Sequence, residues 1–236
     1  MSEVSYMRQK DIFDPVNQKY KIVIMGAGSL GSFIALNLAK LGFNDLTVYD
    51  FDKVEEHNIP NQFYRLQDIG KNKVEALKEI IKEFTDVDIK ICNEKVDDKT
   101  ELPIDINNLF ILTFDTLKAR KMFFDLVKDF NFKVLDVRVG GEEYNIQTIN
   151  TSEYEEVKKW EKSFDIQPTD LPCGARSIIY TNLSVASEVC NIVKKINNDE
   201  EYPKKLIRHM KKYLILNDLN KLQGRKQENV KNDTNR

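Results

Sequence analysis

An α/β fold is predicted for this chain, a Rossmann-like doubly wound and mostly parallel sheet with antiparallel C-terminal strands and a helical C-terminal region. Three observations predict it. Residues 22–25 form an apolar run short enough for a strand buried on both faces. Gly26, Gly28 and Gly31 then read G-x-G-x-x-G where a helix should open, the first for a tight turn, the second for close backbone approach to a phosphate, the third for helix–strand packing. A second apolar run, Leu46–Tyr49, ends at Asp50, nineteen residues beyond Gly31, the spacing at which a carboxylate reaches ribose hydroxyls. The N-terminus of the intervening helix favours an anion. The glycine loop alone does not separate a dinucleotide from ATP.

The remaining elements follow in order. Residues 1–19 are a polar lead-in, with Phe13 and Pro15 as docking points. Residues 53–70, dense in Asn, Pro, His and aromatic residues without a clean period, read as a functional loop. Residues 71–85 place Val74, Leu77, Ile81 and Phe84 on one side of an amphipathic helix. Residues 88–93 alternate as a strand, and 109–114 are a fully buried one, with Asp115 at its C-terminal end. In an open parallel sheet that edge is where ligands sit. A helix over 119–128 and a strand over 133–139 follow, and the Gly140-Gly141 turn returns 144–150 in antiparallel sense. Residues 151–172, charged around Trp160, read as a solvent-facing crossing segment, part helix; 177–196 as a helix; 200–222 as one or two more. One domain over 1–222 and a disordered polar tail over 223–236 complete the reading.

Composition narrows the function classes. Of 236 residues, 36 are basic and 38 acidic, so no global field selects nucleic acid or an anionic membrane. Residues 22–39 lack charge, but three glycines and Ser29, Ser32 and Asn37 argue against a spanning helix. The polar first twenty residues carry no apolar export signal, and three scattered cysteines, Cys92, Cys173 and Cys190, make no disulfide framework. The expected compartment is the reducing cytoplasm.

The order of motifs resembles the ThiF/MoeB-like superfamily that activates ubiquitin-like proteins and sulfur carriers. The resemblance rests on YMRQ at 6–9, GAGSLGS at 26–32, LTVYDFDKVEEHNIPNQ at 46–62, DIGKNKVEAL at 68–77, Asp115 followed by Arg120, and CGARSIIYTNLSVASEV at 173–189. It implies an adenylyltransferase that uses Mg²⁺-ATP to activate the C-terminal glycine carboxylate of a small carrier protein, releasing pyrophosphate. It places the phosphates on Gly26, Gly28, Ser29, Leu30 and Gly31, the ribose on Asp50 with Asp52 close by, Lys73 at the phosphates and Mg²⁺ on Asp115. Asn58, Asn61 and Gln62 fall in the family's nucleotide loop. Arg120 is implied as a fold-stabilising residue. Arg8 would reach the ATP site of a second subunit, in a homodimer or in a heterodimer with a related subunit.

Two departures stand out. Asn61 occupies the place of a family arginine, so the chain could be a catalytically weak or inactive binding subunit unless Arg65 or a partner substitutes. The family's paired C-x-x-C motifs are absent, so no structural zinc is expected. Cys173 is either a thiol that accepts the activated carrier or a packing residue, whereas Cys92 and Cys190 are core residues. The remaining alternative, an NAD-dependent oxidoreductase, lacks a His, Tyr or Lys constellation to carry it.

Overall fold

The computed structural model of the protein describes residues 5–103, 105–165 and 177–219. Among these residues eight strands form one sheet in the order β3-β2-β1-β4-β5-β6-β7-β8. They are β1 Lys21–Met25, β2 Leu46–Tyr49, β3 Lys90–Cys92, β4 Asn108–Leu112, β5 Lys133–Gly140, β6 Glu143–Asn150, β7 Lys205–His209 and β8 Leu214–Asn217. The first five run parallel and the last three join them antiparallel. Residues 22–25 of β1 and all of β4 are buried, as their unbroken apolar runs require.

Among the described residues five α-helices cover the sheet: α1 Gly31–Leu41, α2 Lys73–Thr85, α3 Leu117–Val127, α4 Tyr154–Lys162 and α5 Ile179–Asn197. Buried residues of α1, α2 and α5 belong to one core, with Ile22, Ile24 and Ile111. Those of α3 and α4 belong to the other, with Val23, Met25 and Phe110. Chain connections therefore pass to one face beyond β1 and to the opposite face beyond β4, and a crevice opens between the C-terminal ends of these neighbouring strands. This is the switch point where doubly wound sheets hold their ligands.

The lead-in docks as expected: Phe13 is buried and stacks on Phe43 at 4.8 Å, and Pro15 rests on Gly42. Three expectations are corrected. The reading of 200–222 as one or two helices fails over residues 205–217, which form the β7–β8 hairpin, and residues 220–222 lie outside the described residues. Leu206, Met210 and Leu214 stand four apart and imitate a helical stripe, but the chain reverses between them with Tyr213 at φ 51°. The helical part of the C-terminal region is α5. The segment around Trp160 is not simply solvent-facing, since α4 buries that indole completely. Phe84 is half exposed, and Ile80 takes its place in the core. The tail over 223–236 lies outside the described residues.

Candidate active site

Tight packing dictates two of the three turn glycines. Gly26 has φ +112°, and a Cβ there would lie 2.9 Å from Thr113 Oγ1. A Cβ on Gly31 would fall 1.8 Å from the Gly26 carbonyl oxygen, inside the turn itself. Gly28 differs, since nothing lies within 4 Å of a Cβ built there. The turn is sealed against the sheet and open toward the crevice.

Asp50 braces the turn from the end of β2. Its Oδ2 accepts the Ala27 N–H at 2.7 Å and its Oδ1 accepts the Asp52 N–H at 2.8 Å. Burial pushes its carboxyl above the ordinary carboxylate range, against the pull of Lys73 and of these two donors. Each oxygen retains a lone pair for a further donor such as a ribose hydroxyl. Lys73 begins α2, and its backbone N–H donates to the Asp52 carbonyl at 2.9 Å. Its buried ammonium pairs with Asp52 Oδ2, also at 2.9 Å.

Asp115 lies three residues beyond the end of β4, the strand that pairs with β1, and its side chain is exposed. Thr116, not Asp115, caps α3, accepting the Ala119 N–H at 3.2 Å, so the Asp115 carboxylate is not consumed as a helix cap. Arg120 anchors this loop from beneath. Its buried guanidinium donates to the carbonyls of Leu112, Phe114 and Val137 and pairs with Asp136. Asp136 also accepts from Arg138 at 2.6 Å and from Trp160 Nε1 at 2.9 Å. Burial alone would raise the Asp136 carboxyl; the two arginines and the indole outweigh it and hold it below the ordinary range.

The other expected site residues are distributed unequally. Asn58 is buried and its Oδ1 accepts the Glu55 N–H at 2.9 Å, a loop-closing role. The Asn61 amide donates to the Ser177 carbonyl at 3.4 Å, and Asn182 on α5 donates back to the Asn61 carbonyl at 3.1 Å, so Asn61 ties the loop to the start of α5. Gln62 Oε1 is buried without a partner among the described residues. Arg65 bonds Asp68, Glu79 and Glu83, so it would have to leave these partners to substitute for the missing arginine.

Arg8 is not brought to the turn of its own chain. It is exposed, and its neighbour Gln9 donates to the Leu41 carbonyl at 2.6 Å, at the far end of α1. The eleven residues of α1 separate that end from the turn by about 16 Å. Cys173 lies outside the described residues. Burial pushes the Cys190 thiol up to about 12, as suits a packed residue, and Cys92 packs part-buried against the core.

Sequence reasoning missed Ser32, Tyr64 and Thr113. Their hydroxyls donate to the carbonyls of Gly28 at 2.7 Å, Ala27 at 2.6 Å and Gly26 at 2.9 Å. Only their proximity to the loop motifs signalled them. Among the described residues no group of three or more His, Cys, Asp or Glu side chains could enclose a metal ion. One protein carboxylate, as Asp115 would supply, is enough for a hard cation that brings its remaining ligands as water and phosphate. Among the described residues no helix is long and apolar enough to cross a membrane.

Comparison with known proteins agrees with this architecture. Residues 8–233 match the ThiF family. The chain is 34% identical over 110 residues to the NEDD8-activating enzyme E1 catalytic subunit of Arabidopsis thaliana, a match covering 46% of this chain and 24% of that protein. It is 36% identical over 73 residues to ubiquitin-like modifier-activating enzyme 5 of Caenorhabditis elegans, covering 30% and 17%. The match thus spans about a quarter or less of each of these relatives. Among solved structures, E. coli MccB with MccA-N7isoASN superposes with a TM-score of 0.69 at 15% identity, covering 86% of this chain and 65% of that one. PaaA does so with 0.67 at 21% identity and the same coverages. At these identities the structures share the fold.

Proposed function

This chain belongs to the ThiF family, and from that premise we propose that it is an ATP-dependent adenylyltransferase acting on the C-terminal glycine carboxylate of a ubiquitin-like or sulfur-carrier protein. The observation that supports the reading is that an open glycine turn, Asp50 with the Lys73–Asp52 pair, and Asp115 follow the C-terminal ends of three neighbouring strands, β1, β2 and β4. The similarity to E1-type relatives supports the class of partner, and the shared fold of E. coli MccB solved with ATP supports the nucleotide.

In this reading the turn amides hold the phosphates, Asp50 accepts from the ribose, and Lys73 stands beside Asp52 where it can turn toward the triphosphate. Asp115 would hold Mg²⁺, which supplies charge neutralisation when bound. A carrier carboxylate oxygen forms a bond to the α-phosphorus while the bond to the bridging oxygen breaks, giving the acyl-adenylate and pyrophosphate. The carboxylate is already ionised, so no general base is required. Positioning and compensation of negative charge are the whole task of the site.

A second reading rests on Asn61. With no guanidinium at that position and Arg65 tied to three carboxylates, the chain would be a binding subunit that completes the site of a related partner. Titration calorimetry with Mg²⁺-ATP and with NAD⁺, followed by carrier-dependent exchange of pyrophosphate into ATP, separates the possibilities. We expect Mg²⁺-ATP to bind in preference to NAD⁺, and Asp115→Asn to lower exchange by at least about 10²-fold. ATP binding without exchange would select the binding subunit. Binding of NAD⁺ alone would overturn both readings in favour of an oxidoreductase.

A further inference from the structure

Three consecutive carbonyls of the glycine turn are each tied by a hydroxyl from a different part of the chain. Thr113, beyond β4, takes Gly26; Tyr64, in the 53–70 loop, takes Ala27; Ser32, on α1, takes Gly28. The Phe63 N–H donates to Ser32 Oγ at 3.0 Å, so the same loop grips the turn twice. Among the described residues the amides of Gly28, Ser29, Leu30 and Gly31 donate to no protein acceptor. Fixing a carbonyl fixes the N–H of the following residue, because the peptide unit is planar. Tying the carbonyls of residues 26–28 therefore orients the amides of residues 27–29, the first of which Asp50 already holds.

We propose that Tyr64, Ser32 and Thr113 are positioning residues that pre-set the turn for a phosphate, with Tyr64 the tie through which the 53–70 loop governs anion affinity. The proposal rests on the nucleotide reading of the turn and adds to it the side chains that shape the cradle. Tyr64 is nearly fully buried, with its ring among the core residues, and only its hydroxyl reaches the turn. Burial, then Asp50, Asp68 and Asp52, push that hydroxyl well above the ordinary tyrosine range, so it stays a donor across the pH range of the protein. An anion cradle whose amides are held in place before binding loses less freedom when the ligand arrives.

Tyr64→Phe keeps the ring and removes the donor, and leaves the Ala27 carbonyl buried without its partner. Two measurements test the idea: calorimetry with inorganic tripolyphosphate, Mg²⁺-ATP and adenosine, and hydrogen exchange of amides 28–31. Tyr64→Phe should weaken tripolyphosphate and Mg²⁺-ATP about tenfold, leave adenosine unchanged, and speed exchange at 28–31 more than in the core strands. Ser32→Ala should act in the same direction and serves if Tyr64→Phe does not fold. A wild type that binds tripolyphosphate and Mg²⁺-ATP, with variants that match it in affinity and exchange, overturns this proposal alone. A wild type that binds neither overturns the nucleotide reading and the proposal with it.

Discussion

Gly28 and Gly31 lie three residues apart in one turn and face opposite surroundings. A methyl at Gly31 would sit on the Gly26 carbonyl, whereas one at Gly28 would meet no atom of the protein. Gly31→Ala is therefore expected to destabilise the fold, by about 2 kcal/mol or more, because backbone must move to admit it. Gly28→Ala should fold with an unchanged melting temperature and lose nucleotide affinity, because its methyl occupies the space a phosphate needs. Thermal denaturation and ATP titration of the two variants check the contrast. A Gly28→Ala protein that binds ATP normally would show that the open side of the turn is not the phosphate site. The motif assigns close approach to Gly28 and packing to Gly31; the structure adds that the atom crowding Gly31 is the carbonyl oxygen of Gly26 in the turn itself.

At the scale of elements, the network around Asp136 joins α3, β5 and α4 and holds the loop that carries Asp115. Arg120 reaches from α3 to the Phe114 carbonyl, and Trp160 reaches from α4 to the same Asp136 carboxylate that pairs with Arg120. Asp136→Asn would leave the Arg120 charge buried and unpaired, an expected loss of about 3–5 kcal/mol in a urea titration at neutral pH. The pH dependence has a definite sign. Asp136 has a depressed pKa in the fold, so its stabilising contribution is fully present above the ordinary aspartate value, about 3.9, and is lost as pH falls through the depressed one. Wild-type stability should therefore fall more steeply below about pH 4 than that of Asp136→Asn. Equal slopes would mean that the carboxylate is not the titrating group.

For the whole molecule, the separation between Arg8 and the glycine turn bears on whether the proposed site needs a second subunit. The lead-in docks at the end of α1 remote from the turn, so an Arg8 that serves a nucleotide serves the site of another subunit. Arg8→Ala and Asp115→Asn should each abolish pyrophosphate exchange as homodimers, and a mixture should recover roughly a quarter of wild-type activity, since one site in each mixed dimer is complete. Recovery would fail if the arginine acted within its own chain. If the chain is instead the silent half of a heterodimer, wild type and Asn61→Arg should both lack exchange alone, and each should stimulate a related subunit only while Arg8 is intact. Full activity in Arg8→Ala would defeat both arrangements.

The sequence by itself determined the parallel half of the sheet, the glycine turn and its acid, because continuous apolar strands and a turn that needs glycine are local demands written at fixed spacing. It also placed Asp115 at a strand end, whereas only the structure showed that Thr116, not Asp115, takes the helix cap. Tertiary structure alone decided the rest. The β7–β8 hairpin overrode a four-residue apolar spacing because pairing with β6 satisfies its backbone and covers Leu206, which no local pattern reveals. Arg65 looked available until Asp68, Glu79 and Glu83 were folded against it, and Asn61 looked like a simple loss until it was seen to hold the start of α5. The hydroxyls of Ser32, Tyr64 and Thr113 meet at one turn from positions up to 81 residues apart. Contacts between distant parts of the chain depend on how the layers pack, and a spacing rule records only what neighbouring residues require of one another.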